Sequence, residues 1–258
     1  MQNTKKLLTA SILLFMTGMA SAGSFTGKDN CTYTDKSLLN RVSVGELVVI
    51  VDQSEALSIS HKDQVTELVS KLLIDESVAP VGTHISIFTF GKNDFKQSGE
   101  GQSIKPLVSV CRPKNSANPL YQNGRKINHQ FEARYLKPVQ GAIEGAASGS
   151  LGERSPIMEM IQYISSHTSL NADDKPGAKR LVLVSDLLQH SESYSSYSNR
   201  SHVVPSGLVS NLKGWNVNVL APKRYGSDQA LQAGENIKMW NSFFKAAQAS
   251  SLNIKFLP

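Results

Sequence analysis

Hydrophobic and polar positions follow two periods along the chain, one typical of buried strands and one typical of helices. The run ELVVIV (Glu46–Val51) is apolar after its first residue, as in a strand covered on both faces. Apolar residues then recur at helical spacing, at Val65, Leu68, Val69, Leu72 and Leu73. This part of the sequence therefore predicts a strand followed by a helix.

The same alternation continues to the end of the chain. Strand patterns recur at His84–Phe90, Leu107–Cys111, Arg180–Asp186, Asn216–Leu220 and Leu252–Leu257. Helical patterns lie between them, over residues 131–147, 157–164 and 239–247. Residues 112–130 are punctuated by Pro, Asn and Gly and predict a loop. Strands that alternate with helices predict an α/β fold with a mostly parallel, doubly wound, Rossmann-like sheet and helices on both faces.

Two of the predicted strands end on carboxylates, Asp52 and Asp186. Ser54 follows the first of them, and Ser155 precedes Pro156 at a predicted helix start, where a serine is expected to be the N-cap. Ligands of open α/β sheets bind outside the carboxyl ends of the strands. If the two strands are neighbours, these polar residues converge on one spot.

This convergence predicts a metal site. Hydroxyl and carboxylate oxygens suit Mg²⁺ or Mn²⁺, with Ca²⁺ less favoured and zinc disfavoured. The candidate ligands are Asp52, Ser54, Ser155 and Asp186, with Ser58 and Glu55 as accessory candidates. Mg²⁺ keeps several waters, which leaves a position for an acidic group of a partner. Each residue also has an ordinary alternative role, as a loop hydroxyl, a helix cap or an acceptor of backbone amides.

These motifs resemble the von Willebrand factor A domain. That family carries Asp-x-Ser-x-Ser after its first strand, a Thr at a helix start and an Asp after its fourth strand, which together form the metal-ion-dependent adhesion site. The four candidate ligands match four of these positions. Ala56 stands where the third motif hydroxyl is expected, and Leu187 stands where a Gly often follows the second Asp. The resemblance is therefore to a degenerate form of the site.

The similarity runs from about Val44 to the C-terminus and is greatest to the exported bacterial branch of the family. The segments that carry it are DQSEALS, SPIMEMI and VSDLLQHS. The resemblance implies a divalent cation and a protein partner that presents an acidic group.

Composition adds bounds on the class of protein. The 258 residues are 40% hydrophobic, which fits one large α/β domain or two small ones. Lys and Arg number 27 against 21 Asp and Glu, a formal charge of +6. Because this mild excess is spread along the chain, it gives no strong nucleic-acid signal.

The N-terminus predicts export. Lys5 and Lys6 precede an apolar core and the small-residue ending Ala20-Ser21-Ala22, so residues 1–22 are predicted to be a cleaved signal peptide. Residues 23–44 are predicted to be an extended tail, and residues 45–258 the α/β domain. No later segment reaches about twenty apolar residues, so we expect no transmembrane segment after cleavage and a periplasmic or secreted protein.

The two cysteines, Cys31 and Cys111, predict a disulfide in such a compartment, with two free thiols as the alternative. The chain contains no C-x-x-C motif, which disfavours thiol redox catalysis.

The sequence favours a binding module over an enzyme. GxSxG, Walker A, GxGxxG and HExxH patterns are absent from it. We therefore expect an exported module that recognises a protein through the loops at the carboxyl edge of its sheet. Two alternatives stay open: a metal-dependent hydrolase of phosphate esters at the same site, and a structural envelope component with a vestigial metal site.

Overall fold

A computed structural model describes residues 45–90, 104–117, 122–149, 154–167, 178–198 and 203–258, residues 120 and 152, and two short strands at 25–26 and 32–33. The signal peptide predicted at residues 1–22 lies outside the described residues, as does Cys31. The signal peptide, the domain limits and the disulfide therefore stay predictions.

The strands among the described residues form two sheets. In the small sheet, β1 (Phe25–Thr26) pairs antiparallel with β2 (Thr32–Tyr33), and β2 contacts the strand Val108–Cys111 of the main sheet. The main sheet has six strands in the order β5-β4-β3-β6-β7-β8. They are β3 (Gly45–Asp52), β4 (His84–Phe90), β5 (Val108–Cys111), β6 (Ala178–Val184), β7 (Trp215–Pro222) and β8 (Ser251–Leu257). All neighbours pair in parallel except β5 with β4, so the prediction of a mostly parallel sheet is confirmed.

Helices connect the strands. They are α1 (Ile59–Ile74), α2 (Gly124–Phe131), α3 (Lys137–Ser148), α4 (Ile157–His167), α5 (Ser227–Leu231) and α6 (Glu235–Ala246). A π-helical turn, Glu132–Leu136, joins α2 to α3, and a 3₁₀ turn spans Ser206–Leu208. None of the helices in the described part of the chain is long and apolar enough to cross a membrane.

The central strand β3 separates two hydrophobic layers. Its residues Leu47, Val49 and Val51 belong to the cluster that contains buried residues of α1 and α3. Its alternate residues Val48 and Ile50 belong to the cluster that contains buried residues of α4 and α6. Because successive side chains of a strand point to opposite faces, this division confirms helices on both faces of the sheet.

The loop predicted over residues 112–130 is wrong for its last part, where α2 begins at Gly124. Asn123 is the N-cap of this helix, and its side chain accepts a hydrogen bond of 3.2 Å from the amide of Lys126. The Asn-Gly pair that indicated a turn is thus the start signal of a helix, since Asn is also a favoured N-cap.

The buried side chain of Arg112 holds the C-terminal end of α1, which lies opposite the carboxyl edge of the sheet. Arg112, directly after β5, is fully buried, and its guanidinium donates to the carbonyls of Ile74 (2.6 Å) and Ala79. Carbonyls at a helix C-terminus carry partial negative charge and attract a cation. Arg112 therefore joins α1 to the edge of the sheet.

We expect Arg112→Leu to lower the free energy of unfolding by about 2–4 kcal/mol, because two backbone carbonyls lose their donor inside the protein. Urea denaturation measures this loss. Arg125→Leu, which removes an exposed arginine from α2, is the control and should change stability by less than about 0.5 kcal/mol. Equal effects of the two substitutions would contradict the role given to Arg112.

Candidate metal site at the carboxyl edge of the sheet

The register of β3 and β6 creates the centre of the site. Val51 lies opposite Val184, so Asp52 and Ser185 leave the sheet side by side at its carboxyl edge. Asp52 Oδ2 accepts hydrogen bonds from Ser155 Oγ (2.6 Å) and Ser185 Oγ (2.9 Å), and Oδ1 accepts one from the Ser54 amide (2.9 Å). These donors are all neutral, so Asp52 is a buried carboxylate held by groups that bring no positive charge.

Ser155 reaches Asp52 from the start of α4. Its backbone is bonded in both directions to His190, at 2.9 and 2.8 Å. The prediction that Ser155 is the N-cap of α4 needs correction, because its hydroxyl donates to Asp52, while the Met158 amide in the first turn donates to Gln189 Oε1 (2.9 Å). A side chain from the loop after β6 thus supplies the helix cap, and the serine is left for the site.

The second carboxylate, Asp186, has a positively charged partner. Its Oδ2 accepts from Arg224 Nε at 2.6 Å and lies 2.5 Å from Nη2, and its Oδ1 accepts from the Leu188 amide at 2.9 Å. Arg224 Nη1 also pairs with Glu55. A single guanidinium therefore connects the loops that follow β3, β6 and β7.

Leu187 holds the loop after β6 in an unusual conformation. Its φ is 65°, in the left-handed region that costs a residue other than Gly about 1 kcal/mol. Its side chain is fully buried, and its carbonyl accepts hydrogen bonds from Asn236 Nδ2 (3.0 Å) and Trp240 Nε1 (2.7 Å) of α6. Burial and these two bonds offset the strain at a position where Gly would be unstrained.

The loop after β3 is anchored at its first residue. Gln53 is buried, and its Nε2 donates to the Ala146 carbonyl near the end of α3 (2.7 Å). A Cβ at Gly149 would overlap the same Nε2, so only glycine leaves room for this bond. The chain that carries Asp52 is therefore fixed from both directions.

Most of the candidate residues line one cavity of about 230 Å³. These are Asp52, Ser54, Glu55, Ser58 and Asp186, together with Ala56, Ser185 and Arg224. Ser155 is buried and joins the group through its hydrogen bond to Asp52.

The accessory candidates have other contacts in the structure. Ser58 is the N-cap of α1, and its Oγ accepts from the His61 amide (3.2 Å). Glu55 is half-exposed and pairs with Arg224. Ala56 brings no oxygen to the cavity from its side chain.

Burial of two acids in one place sets the electrostatics. Burial and the neighbouring Asp186 raise the pKa of Asp52 to about 6, although hydrogen bonds from Ser155 and Ser54 act in the opposite direction. Burial also raises the pKa of Asp186, and Arg224 opposes that rise. Keeping both Asp52 and Asp186 ionised is thus unfavourable, and the guanidinium of Arg224 offsets only part of that cost.

The oxygen atoms at this site are of the chemical type that binds hard divalent cations. Within the described residues, His, Cys, Asp and Glu form no group of three or more with the placement of metal ligands. A cation would therefore depend on hydroxyls beside Asp52, those of Ser54, Ser155 and Ser185. Carboxylates and hydroxyls are oxygen donors of the type that Mg²⁺ and Mn²⁺ prefer.

Large apolar side chains are exposed near the cavity. Tyr225 lines it and is 72% exposed, and Ile59, next to Ser58, is 79% exposed. Tyr197 is 46% exposed and close enough to Asp186 for that carboxylate to help raise its pKa to about 12, after burial as the main cause.

Three residues of the site were missed by sequence analysis: Ser185, Gln189 and Arg224. Ser185 stands directly before Asp186. The register between β3 and β6 decides which of these two residues faces Asp52, and the sequence of one strand does not reveal that register. Arg224 follows β7, whose carboxyl end reaches the same edge. Applying the strand-end rule to β7 as well as to β3 and β6 would have pointed to it.

The chain is similar to several solved structures. No family model and no curated protein matches the chain. The conserved hypothetical protein BatB from Bacteroides thetaiotaomicron is 11% identical with a TM-score of 0.39, over 83% of this chain and 91% of that one.

Two longer proteins are also similar. Proximal thread matrix protein 1 from the mussel byssus, with a zinc-occupied MIDAS motif, is 11% identical with a TM-score of 0.39, over 79% of this chain and 47% of that one. The pilus adhesin SpaC from Lactobacillus rhamnosus GG is 15% identical with a TM-score of 0.42, over 84% and 28%. This chain thus spans less than half of either protein.

We expect the metal-free protein to lose stability, relative to Asp52→Asn, as the pH rises from about 4 to about 7. The folded-state pKa of about 6 exceeds the ordinary value of 3.8, so between these values the folded protein keeps a proton that the unfolded chain has lost. Losing that proton costs the folded state about 2–3 kcal/mol. Urea denaturation of wild type and Asp52→Asn in EDTA, across this pH range, measures the difference in their stability. A stability difference that does not change with pH would contradict the prediction.

Proposed function

We propose that this chain is an exported protein-binding module of the von Willebrand factor A type, which recognises its partner through the loops at the carboxyl edge of the sheet. The observation that carries the proposal is Asp52, a buried carboxylate with neutral donors that lines a cavity open to solvent. The motif match of Asp52, Ser54, Ser155 and Asp186 supports the same conclusion. The N-terminal sequence supports a periplasmic or secreted location.

We further propose that this edge binds Mg²⁺ or Mn²⁺, with Ca²⁺ less favoured. Asp52 and the hydroxyls of Ser54, Ser155 and Ser185 would hold the ion, and Asp186 would contribute negative charge beside it. A bound cation would offset the cost of keeping two ionised carboxylates out of water. When bound, the ion would offer a coordination position to an acidic group of the partner.

The surroundings of the cavity favour a protein as the partner. Ile59, Tyr197 and Tyr225 expose large apolar surfaces around a polar centre. Exposed apolar groups rimmed by polar residues are typical of interaction sites, and tyrosines are enriched at interfaces.

A phosphoester hydrolase is the alternative from the enzyme class. Two-metal hydrolases need carboxylates to hold their ions, and here one of the two buried carboxylates is paired with Arg224. Turnover of a generic phosphodiester or monoester with Mn²⁺, lost in Asp186→Ala, would favour this alternative over the binding module.

Calorimetric titration with Mn²⁺ and Mg²⁺ tests the cation. We expect heat of binding at millimolar metal or below for the wild-type chain and its loss in Asp52→Ala, because that substitution removes the central carboxylate. Glu76→Ala, which removes an exposed acid just beyond the end of α1 that lies opposite the site, should bind as the wild type does. A heat of binding that is the same in the wild-type chain and in Asp52→Ala would exclude Asp52 from the cation site.

Affinity capture from the exported fraction tests the partner. The wild-type chain should retain a protein that is released by EDTA, and Asp52→Ala should fail to retain it, since both treatments remove the cation. Retention of the same protein by wild type and Asp52→Ala, with and without EDTA, would instead indicate a structural component with a vestigial site.

A further inference from the structure

We infer that Arg224 is a built-in cation that competes with a divalent ion for the carboxyl edge, so that the ion binds as the guanidinium leaves Asp186. This inference concerns regulation of the site and rests on the proposed cation at Asp52. It predicts that the wild-type chain binds divalent ions more weakly than its oxygen donors alone would allow.

The geometry places Arg224 in direct competition for one of the acids. Nε and Nη2 both contact Asp186 Oδ2, at 2.6 and 2.5 Å, and the other oxygen of that carboxylate accepts the Leu188 amide. Both oxygens of Asp186 are therefore engaged. A divalent ion that uses this carboxylate must first take Oδ2 from the guanidinium.

Charge makes the two cations unfavourable neighbours. Asp52 and Asp186 line the same cavity and raise each other's electrostatic cost. Like charges in a partly buried site repel strongly, because water screens them poorly there. An ion beside Asp52 would thus weaken the Arg224–Asp186 pair even without touching it.

The guanidinium is able to leave without unfolding the loop that carries it. The Arg224 backbone amide donates to Gln232 Oε1 (2.8 Å), and Gln232 Nε2 donates to the carbonyls of Asp186 (3.2 Å) and Pro222 (2.6 Å). The main chain is therefore fixed by a buried glutamine independently of the side chain. The Arg224 side chain is 22% exposed, so it has a path to solvent.

Glu55 gives the displaced guanidinium a second position. Its carboxylate is half-exposed, pairs with Nη1 and belongs to the loop after β3. Release from Asp186 therefore need not leave Arg224 without a counter-charge. In the proposed exchange, the guanidinium of Arg224 leaves the buried Asp186 and pairs with the exposed Glu55. The divalent ion then occupies the position beside Asp186.

Mn²⁺ titration of the full chain, read by electron paramagnetic resonance of the free ion, tests the competition. Arg224→Gln should bind Mn²⁺ at least about tenfold more tightly than wild type, because one competing positive charge has been removed from the site. Arg224→Lys keeps the charge but loses the fork that contacts Asp186 and Glu55, so its affinity should lie between those of wild type and Arg224→Gln. Lys245→Gln, which removes an exposed charge in the last turn of α6, should change the affinity by less than about threefold.

The outcomes separate this inference from the function on which it rests. Mn²⁺ binding that is lost in Asp52→Ala but unchanged or weakened in Arg224→Gln would overturn the competition and leave the cation site standing. Absence of Mn²⁺ binding in wild type and in Arg224→Gln would overturn both. Tighter binding in Arg224→Gln that persists after Asp52→Asn is added would place the ion elsewhere and also overturn the inference.

A measurement on the wild-type chain covers the case in which Arg224→Gln does not fold. The Nε–H resonance of Arg224, identified by its absence in Arg224→Lys, should be protected from solvent exchange because it donates to Asp186. Saturation with diamagnetic Mg²⁺ should shift it and remove that protection. An unchanged resonance in the saturated protein would contradict displacement of the guanidinium.

Discussion

Two carboxylates placed at the end of a hydrophobic sheet are the constraint around which the loops of this protein are arranged. An ionised group removed from water must receive hydrogen bonds or an opposite charge. Asp52 receives hydroxyls from the start of α4 and from the end of β6, while Asp186 receives the guanidinium that follows β7. Each acid therefore binds together segments that are far apart in the sequence.

The supports beneath these acids are equally specific. Helix α6 donates hydrogen bonds to the Leu187 carbonyl in the loop after β6. Gln189 joins the same loop to the first turn of α4, and Gln232 fixes the loop after β7. Buried amides with paired donors and acceptors restrict the positions that a loop can adopt. The loops of this edge are thus held in one arrangement by contacts within the chain, and such pre-organisation would lower the entropy that a ligand costs on binding. The side chains of Arg224 and Glu55 are partly exposed to solvent.

The fold followed from local patterns, and much of the site followed from the ends of those patterns. Apolar runs located the strands, and the residues next to them named Asp52, Ser54 and Asp186, because strand ends are visible in one stretch of sequence. Residues that act across the fold were not visible in this way. The contribution of Ser185 depends on register, and that of Arg224 depends on the reach of a long side chain from a third loop. Helix α2 was missed because Asn-Gly serves both turns and helix starts.

The separation in sequence of the residues that meet at Asp52 has a consequence for folding. Asp52 and Ser155 are 103 positions apart, Asp52 and Ser185 are 133 apart, and Glu55 and Arg224 are 169 apart. Contacts between such distant positions form slowly, since the chain between them must first lose its freedom. Helices need only nearby residues, and the β3–β4 pair needs only residues 45–90, whereas the carboxyl edge needs both halves of the chain. A molecule still emerging from synthesis therefore forms secondary structure before its carboxyl edge is assembled.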